Sequence, residues 1–293
     1  MLDHTANAFV AEAEDTIDTL FIGDSLSYSS FIPKQMWQEG GLTAYVCGTP
    51  RQSLNRSLDY LLRFNEKQSP KLVILEANAI FQYDRIKSDV IDLFHDTMAG
   101  WFPVFNHHNY WQQLVTGGPA APAQPWRHVQ KGYRFINETV PWTGEDYMAD
   151  NGYRVKFPPL AAYYLKQIHA YCTEQNIQLM LISSPCPKNW SYARSAAVRD
   201  KAAALDIPYL DLNLRQAELG MDWQNDTSDG GDHLNYTGAR KVTAFLTAYL
   251  KDHYSLQDHR GDGRYAQWQA DCETAERQID EALALGLVRL DDE

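Results

Sequence analysis

The sequence predicts an α/β fold in which a parallel β-sheet carries helices on both faces. Short apolar runs alternate with segments of helical periodicity along most of the chain, the pattern of repeated strand–helix–strand units. The chain has 293 residues, of which 44% are hydrophobic and 22% charged, which is enough for one large α/β domain. We therefore expect a single domain over residues 1–293, with the C-terminal ends of all strands at one edge of the sheet.

Three strands are predicted in the first part of the chain. Residues 16–22 form an apolar run that stops at a glycine, and a helix follows over 31–39 with Pro33 in its first turn. A second strand is predicted at 42–46. The next helix, 52–65, places Leu54, Leu58, Leu61 and Leu62 on one face, and the third strand, 71–76, begins after a proline.

The alternation stops after residue 84 and resumes near residue 158. Residues 85–155 are rich in Trp, His, Pro and Gly and predict an insertion after strand three, helical at 86–98 and 109–115, that covers the edge of the sheet. Adjacent His107 and His108 point in different directions, which argues against a shared metal ion.

The second part of the chain continues the strand and helix pattern. Its predicted helices and strands are residues 158–175, 178–183, 191–205, 208–212 and 236–253. Residues 260–293 are expected to form a helical tail on the outside, with the helix itself over 265–285.

Composition excludes several classes of partner. The net charge of −12 disfavours nucleic acid, whose phosphates need a basic surface. The four cysteines show no C-x-x-C pair, so no zinc site is expected, and no other metal or cofactor is implied. No apolar run reaches the roughly 18 residues of a membrane span, and residues 1–18 lack the pattern of a signal peptide.

The first strand ends in Gly23-Asp24-Ser25, at the edge where open α/β sheets bind ligands. The glycine permits a tight turn, and the serine begins a helix whose N–H groups attract negative charge. Asp24 is expected to have a structural role, either as the cap of that helix or as a buried hydrogen-bond anchor for the turn. Ser25 is therefore a candidate nucleophile.

A distant loop supplies a candidate base for that serine. A serine hydroxyl needs a base within hydrogen-bonding distance, and the base needs a carboxylate to orient it. His233 is the candidate base, and both Asp229 and Asp232 lie near it in the sequence. The backbone N–H groups of Ser25 and Gly48, with the side-chain amide of Asn78, are candidates for an oxyanion hole.

These motifs together resemble the GDSL, or SGNH, hydrolase superfamily. The resemblance lies in Gly23-Asp24-Ser25-Leu26, Gly48, Asn78 and the loop at 229–233. It implies a flavodoxin-like three-layer α/β/α sandwich with a five-stranded parallel sheet. It also implies Ser25 as nucleophile, His233 as base, and an oxyanion hole of Ser25, Gly48 and Asn78, with no cofactor.

The stretch 232–243 is most similar to a bacterial cell-surface branch of that superfamily, which includes teichoic acid D-alanyl-transfer proteins and polysaccharide O-acylation proteins. That similarity implies a serine-dependent acyl ester hydrolase or O-acyltransferase, outside the cytoplasm, acting on an acylated small molecule, a cell-surface glycan or a teichoic acid-like polymer. A membrane-bound acyltransferase is a further candidate partner.

Two other functions compete with this interpretation. The chain could be a catalytically silent domain that binds a surface glycan or a membrane acyltransferase. A nucleotide or flavin binder is disfavoured, because the first turn has no glycine-rich phosphate loop.

The sequence departs from the superfamily pattern in two places. The usual Asp-x-x-His has Gly230 at its first position, so Asp229 lies one residue too far and Asp232 is adjacent to His233. Two glycines would let Asp229 fold back onto the imidazole, which favours it over Asp232. The usual Gly-x-Asn-Asp is replaced by Glu76-Ala77-Asn78-Ala79.

Overall fold

A computed structural model describes residues 3–82 and 126–290, and its sheet has five parallel strands. The order across the sheet is β2-β1-β3-β4-β5. The strands are β1 (Thr19–Gly23), β2 (Ala44–Gly48), β3 (Leu72–Glu76), β4 (Gln178–Ser183) and β5 (Tyr209–Asp211). The α/β prediction and the five-stranded parallel sheet are therefore confirmed, in the strand order typical of flavodoxin-like sheets.

The helices connect these strands and cover both faces of the sheet. They are α1 (His4–Asn7), α2 (Ser25–Ser30), α3 (Pro33–Gly40), α4 (Leu54–Asn65), α5 (Pro159–Glu174), α6 (Tyr192–Ala204), α7 (Gln216–Leu219), α8 (Tyr236–His253) and α9 (Ala266–Leu285). Short 3₁₀ turns occur at Ala8–Ala11, Ala77–Phe81, Leu212–Arg215 and Gly263–Tyr265. None of the helices in residues 3–82 and 126–290 is both long and apolar enough to cross a bilayer.

The sheet separates two apolar layers, because successive side chains of a strand point to opposite faces. Leu20 and Ile22 of β1 pack in one layer with residues of α4 and α5. Phe21, between them, packs in the other layer with residues of α3 and α8. Every residue of β1, β2 and β3 is buried, as expected for a sheet covered on both sides.

The edge strand β2 is covered by the segment that contains Lys131. The Val46 N–H donates to the Lys131 carbonyl at 2.9 Å, which satisfies part of the open edge. The Lys131 side chain is fully buried and forms ion pairs with Glu12 and Asp271 of α9, the first at 2.8 Å. This buried cluster connects the N-terminal segment, the edge cover and the C-terminal helix.

Element boundaries differ from the sequence prediction by more than one residue at two strands. The predicted strand 16–22 begins three residues later, because the Gln68 side-chain oxygen accepts the Thr16 and Ile17 N–H groups at 3.0 and 3.2 Å. The predicted strand 42–46 runs to Gly48, so this glycine ends β2 rather than following it.

Most of the predicted insertion lies outside the described residues. The helices predicted at 86–98 and 109–115 fall there, as do His107 and His108. Residues 126–158 are described and consist of turns, a bend and irregular backbone, with one isolated bridge from Ile136 to Arg289. The single domain, and the insertion as a cover for the site, stay predictions.

Candidate active site

The turn after β1 presents Ser25 at the first position of α2. The Asp24 carboxylate caps this helix by accepting the Leu26 N–H at 3.1 Å, which confirms its predicted capping role. Gly23 is required for packing, since a Cβ at this position would lie 2.6 Å from the Cβ of Glu76. The serine hydroxyl is therefore held at the C-terminal edge of the sheet, partly exposed to solvent.

The loop from Thr227 to Leu234 returns on itself and carries the candidate base. Thr227 and Leu234 form an isolated antiparallel bridge, and the Thr227 hydroxyl accepts the Gly231 N–H at 2.7 Å. Gly230 and Gly231 have φ of 75° and 94°, a region that glycine adopts easily. Asn235 ends the loop and caps α8 by accepting the Gly238 N–H at 3.1 Å.

The structure brings Ser25, His233 and Asp229 together in one hydrogen-bonded chain. The Nε2 atom of His233 lies 2.8 Å from the Ser25 Oγ. Its Nδ1 lies 2.6 Å from Oδ2 of Asp229. The other carboxylate oxygen of Asp229 accepts the His233 and Asp232 N–H groups at 2.8 and 3.1 Å. The two glycines thus let the loop fold back so that Asp229 holds both the ring and the backbone of His233.

Asp232 makes a different contact. Its side chain accepts a hydrogen bond from the Asn189 amide, in the loop after β4. Asp229, Asp232 and His233 form a group of side chains that is also close enough to ligate a cation. Both ring nitrogens of His233 and both carboxylate oxygens of Asp229 already have protein partners, and a histidine bonded to a serine hydroxyl fits acid–base chemistry.

The charges around His233 favour its protonated form. Burial by itself lowers the pKa of the imidazole, but the hydrogen bond that its Nδ1–H donates to Asp229 and the charges of Asp232 and Asp229 outweigh this effect, so the pKa of His233 is raised above 6.5. Burial likewise pushes the pKa of Asp229 upward, but its hydrogen bonds from His233 leave the pKa below its ordinary value. Because the neighbouring carboxylates stabilise the protonated imidazole, His233 is suited to taking a proton from Ser25.

Each of the three oxyanion-hole candidates lies in this neighbourhood. The Ser25 N–H belongs to the first turn of α2, where a helix leaves N–H groups without partners in its own ladder. Gly48 lies directly against that turn, since a Cβ on it would be 2.2 Å from the Ser27 Oγ. The Asn78 side-chain amide donates to Asp24 Oδ2 at 2.7 Å, which engages one of its two N–H groups.

Two carboxyl groups lie buried beneath the nucleophile turn. Asp24 and Glu76 are both fully buried. Burial raises the pKa of Asp24, and burial together with the Asp24 charge raises the pKa of Glu76 well above 4.5. Glu76 accepts the Asn78 and Ser184 N–H groups at 2.9 and 3.2 Å, so it connects the ends of β3 and β4. Sequence reasoning missed this role, although a carboxylate that closes an apolar strand is a usable signal.

A cavity of about 300 Å³ opens beside the histidine. His233 and Asp229 form one wall, and Tyr28 of α2 forms another. Arg134, Arg289 and Glu138 are also in the lining, so it carries charges of both signs. The Arg134 guanidinium lies 4.5 Å from the centre of the Tyr28 ring and pairs with Asp3 at 2.7 Å. The two arginines had no motif to identify them in the sequence.

The loop after β4 carries Trp190, which is buried. Its indole N–H donates to Asp211 at 3.3 Å, and its ring forms a T-shaped contact with Phe81. This tryptophan therefore belongs to the core under the loop.

No family model matches this sequence, and no curated protein does. Solved structures resemble it in chain path. A lipase/acylhydrolase from Enterococcus faecalis shares 10% identity over 82% of this chain and 99% of its own, with a TM-score of 0.41. An acetyl xylan esterase, AlAXEase, shares 14% identity over 80% of this chain and 100% of its own, with a TM-score of 0.42. A Lactobacillus plantarum protein shares 10% identity over 83% of this chain and 99% of its own, with a TM-score of 0.43. At these values the similarities assign no activity to this chain.

Proposed function

We propose that this chain is a GDSL/SGNH-type enzyme that hydrolyses an acyl ester or transfers an acyl group between oxygens through an acyl-Ser25 intermediate. The observation that carries the proposal is the chain of hydrogen bonds from Ser25 Oγ to His233 Nε2 and from His233 Nδ1 to Asp229, at 2.8 and 2.6 Å. This order of hydroxyl, imidazole and carboxylate is the arrangement that activates a serine nucleophile.

The chemistry follows from the same three groups. Ser25 Oγ attacks the ester carbonyl while Nε2 of His233 takes the hydroxyl proton, and Asp229 stabilises the imidazolium that forms. N–H groups near Ser25, Gly48 and Asn78 stabilise the negative charge on the carbonyl oxygen. His233 then gives the proton to the leaving alcohol, which departs and leaves the acyl group on Ser25. Water or an acceptor hydroxyl attacks the acyl group, with His233 as base, and restores the serine.

We further propose a polymeric, negatively charged substrate of the cell envelope. The support for this is the pair of arginines, Arg134 and Arg289, in the lining of the cavity beside His233, where they lie together with the carboxylates of Glu138 and Asp229. Acidic glycan and teichoic acid-like polymers carry groups that arginine binds well. The location outside the cytoplasm and a membrane-bound acyltransferase partner rest on the sequence resemblance alone.

Replacing Ser25 with alanine tests the nucleophile. We expect S25A to lose hydrolysis of p-nitrophenyl acetate, while S69A, at an exposed serine bonded to Asp15, keeps it. Full activity in S25A would remove the proposal. A wild-type chain that hydrolyses no ester but binds an acidic glycan would favour the catalytically silent alternative.

Acyl transfer is separated from hydrolysis by following the acyl group. Incubation with an acyl donor and an acceptor glycan gives either free acid or acylated glycan, which mass spectrometry distinguishes. Acylated glycan that appears only with intact Ser25 supports transfer.

A further inference from the structure

A hydrogen-bonded network runs beneath the Ser25–His233 pair and joins the residues next to each of them. Asp24, beside Ser25, accepts from the Asn78 amide at 2.7 Å. The Asn78 side-chain oxygen accepts from Nη1 of Arg194 at 3.1 Å. The same nitrogen donates to the Asn189 carbonyl, and the Asn189 amide donates to Asp232, beside His233. Arg194, on α6, is therefore the centre of this network.

We propose that Arg194 is a positioning residue that fixes the orientation of the Asn78 amide for oxyanion binding, an inference that rests on the proposed function. A guanidinium can only donate hydrogen bonds, and Oδ2 of Asp24 accepts from the side-chain amides of both Asn78 and Gln82. Arg194 on one side and Asp24 on the other therefore force the Asn78 oxygen toward Arg194 and its nitrogen toward Asp24. That orientation keeps the second N–H of the amide for the developing oxyanion.

Contacts that do not involve Arg194 hold the backbone around Asn78 and the histidine loop. The backbone N–H of Asn78 is held independently by Glu76 at 2.9 Å. The histidine loop is held independently by the Lys188 N–H on the Gly231 carbonyl at 3.0 Å, and by the Cys186 thiol on the Asp232 carbonyl. Loss of Arg194 thus leaves these backbone contacts in place, while the Asn78 side-chain oxygen and the Asn189 carbonyl lose their hydrogen bonds from the guanidinium.

Arg194 is itself held in a defined place. Its guanidinium lies 4.7 Å from the centre of the Phe81 ring, a cation–π contact next to the nucleophile turn. Its backbone N–H donates to the Ser191 hydroxyl that caps α6, at 3.3 Å. Arg199, on the same helix, offers a matched control, because its side chain is 51% exposed and its nearest carboxylate, Asp200, is 3.6 Å away.

The kinetic test compares R194M with R199M in ester hydrolysis. We expect R194M to lose roughly 10- to 100-fold in kcat with KM within about twofold of wild type, since a misoriented donor weakens the transition state rather than substrate binding. The midpoint of the pH–rate profile should stay unchanged, because His233 keeps Asp229. R199M should behave as wild type in every measurement.

Chemical rescue and NMR separate positioning from folding. Guanidinium ion should restore activity to R194A at least severalfold and leave S25A inactive. The side-chain amide signals of Asn78 should shift or broaden in R194M and stay unchanged in R199M. Wild-type kcat in R194M, or unchanged Asn78 signals there, would overturn the proposal.

The proposed function can fail separately. A wild-type chain that neither hydrolyses esters nor reacts at Ser25 rejects the proposed enzyme. The Asn78 amide signals in R194M still decide whether Arg194 orients that side chain.

Discussion

Replacing Asp229 with asparagine changes one atom of the carboxylate and should place the wrong tautomer on His233. Oδ1 of Asp229 accepts two backbone N–H groups, at 2.8 and 3.1 Å, so the asparagine oxygen will occupy that position. The NH₂ group then takes the place of Oδ2 and faces Nδ1 of His233. A ring that accepts at Nδ1 carries its proton on Nε2, which points at the Ser25 hydroxyl and blocks proton transfer.

The expected loss in D229N is large and appears in kcat. Loss of the correct tautomer costs up to about 10⁴-fold in a fully enclosed triad. The Asp229 side chain is 40% exposed, so water can partly replace it and we expect roughly 10²- to 10⁴-fold. This corresponds to about 3 to 5 kcal/mol of transition-state stabilisation. Steady-state hydrolysis of p-nitrophenyl acetate over a pH series measures it.

D232N is the matched control for this substitution. Asp232 contacts Asn189 rather than the imidazole ring, but its charge raises the pKa of His233. Activity needs neutral His233, so it increases as pH rises through a pKa above 6.5 in the wild type. D232N should move this midpoint to lower pH and keep the plateau kcat within about threefold. Equal plateau losses in D229N and D232N would refute the assignment of Asp229.

Two further substitutions test the buried charges. K131M leaves the buried Glu12 without its ion-pair partner and Asp271 with only the more distant Arg127, at 3.7 Å, and should cost about 3 to 5 kcal/mol of unfolding free energy in urea. K71M, at a pair whose lysine is half exposed, should cost under about 1 kcal/mol. Similar values for both would contradict the buried cluster. The pKa of Glu76 is higher in the folded chain than in the unfolded chain. Its protonated form therefore stabilises the fold fully below pH 4.5, and this contribution is lost as the pH rises toward the pKa of the folded state. The stability advantage of wild type over E76Q should therefore shrink above pH 4.5, and an advantage that grows with pH would be evidence against a protonated Glu76.

The sequence predicted the parts of the fold that depend on local pattern. All five strands and the helices predicted at 31–39, 52–65, 158–175, 191–205 and 236–253 lie near their predicted positions, because apolar runs and helical periodicity are properties of neighbouring residues. The start of β1 was wrong, because the Gln68 side chain occupies the backbone N–H groups of Thr16 and Ile17, a contact between distant segments.

In the candidate site, too, the residues that belong to local motifs could be predicted, and a residue that acts through a long-range contact could not. Ser25 and His233 were identifiable from motifs, and the two glycines after Asp229 indicated that its carboxylate could return to the ring. Arg194 gave no such signal, because an arginine in the first turn of a helix is compatible with a solvated surface. Its contact with Asn78, 116 residues away, is visible only in the folded chain.

Labelling with a fluorophosphonate tests the central claim, that His233 activates Ser25, most directly. The label should attach at Ser25, as peptide mass spectrometry would show, with a rate that rises with pH to a plateau. H233A should slow the labelling by roughly 100-fold or more. A label on another serine, or an unchanged rate in H233A, would contradict the claim.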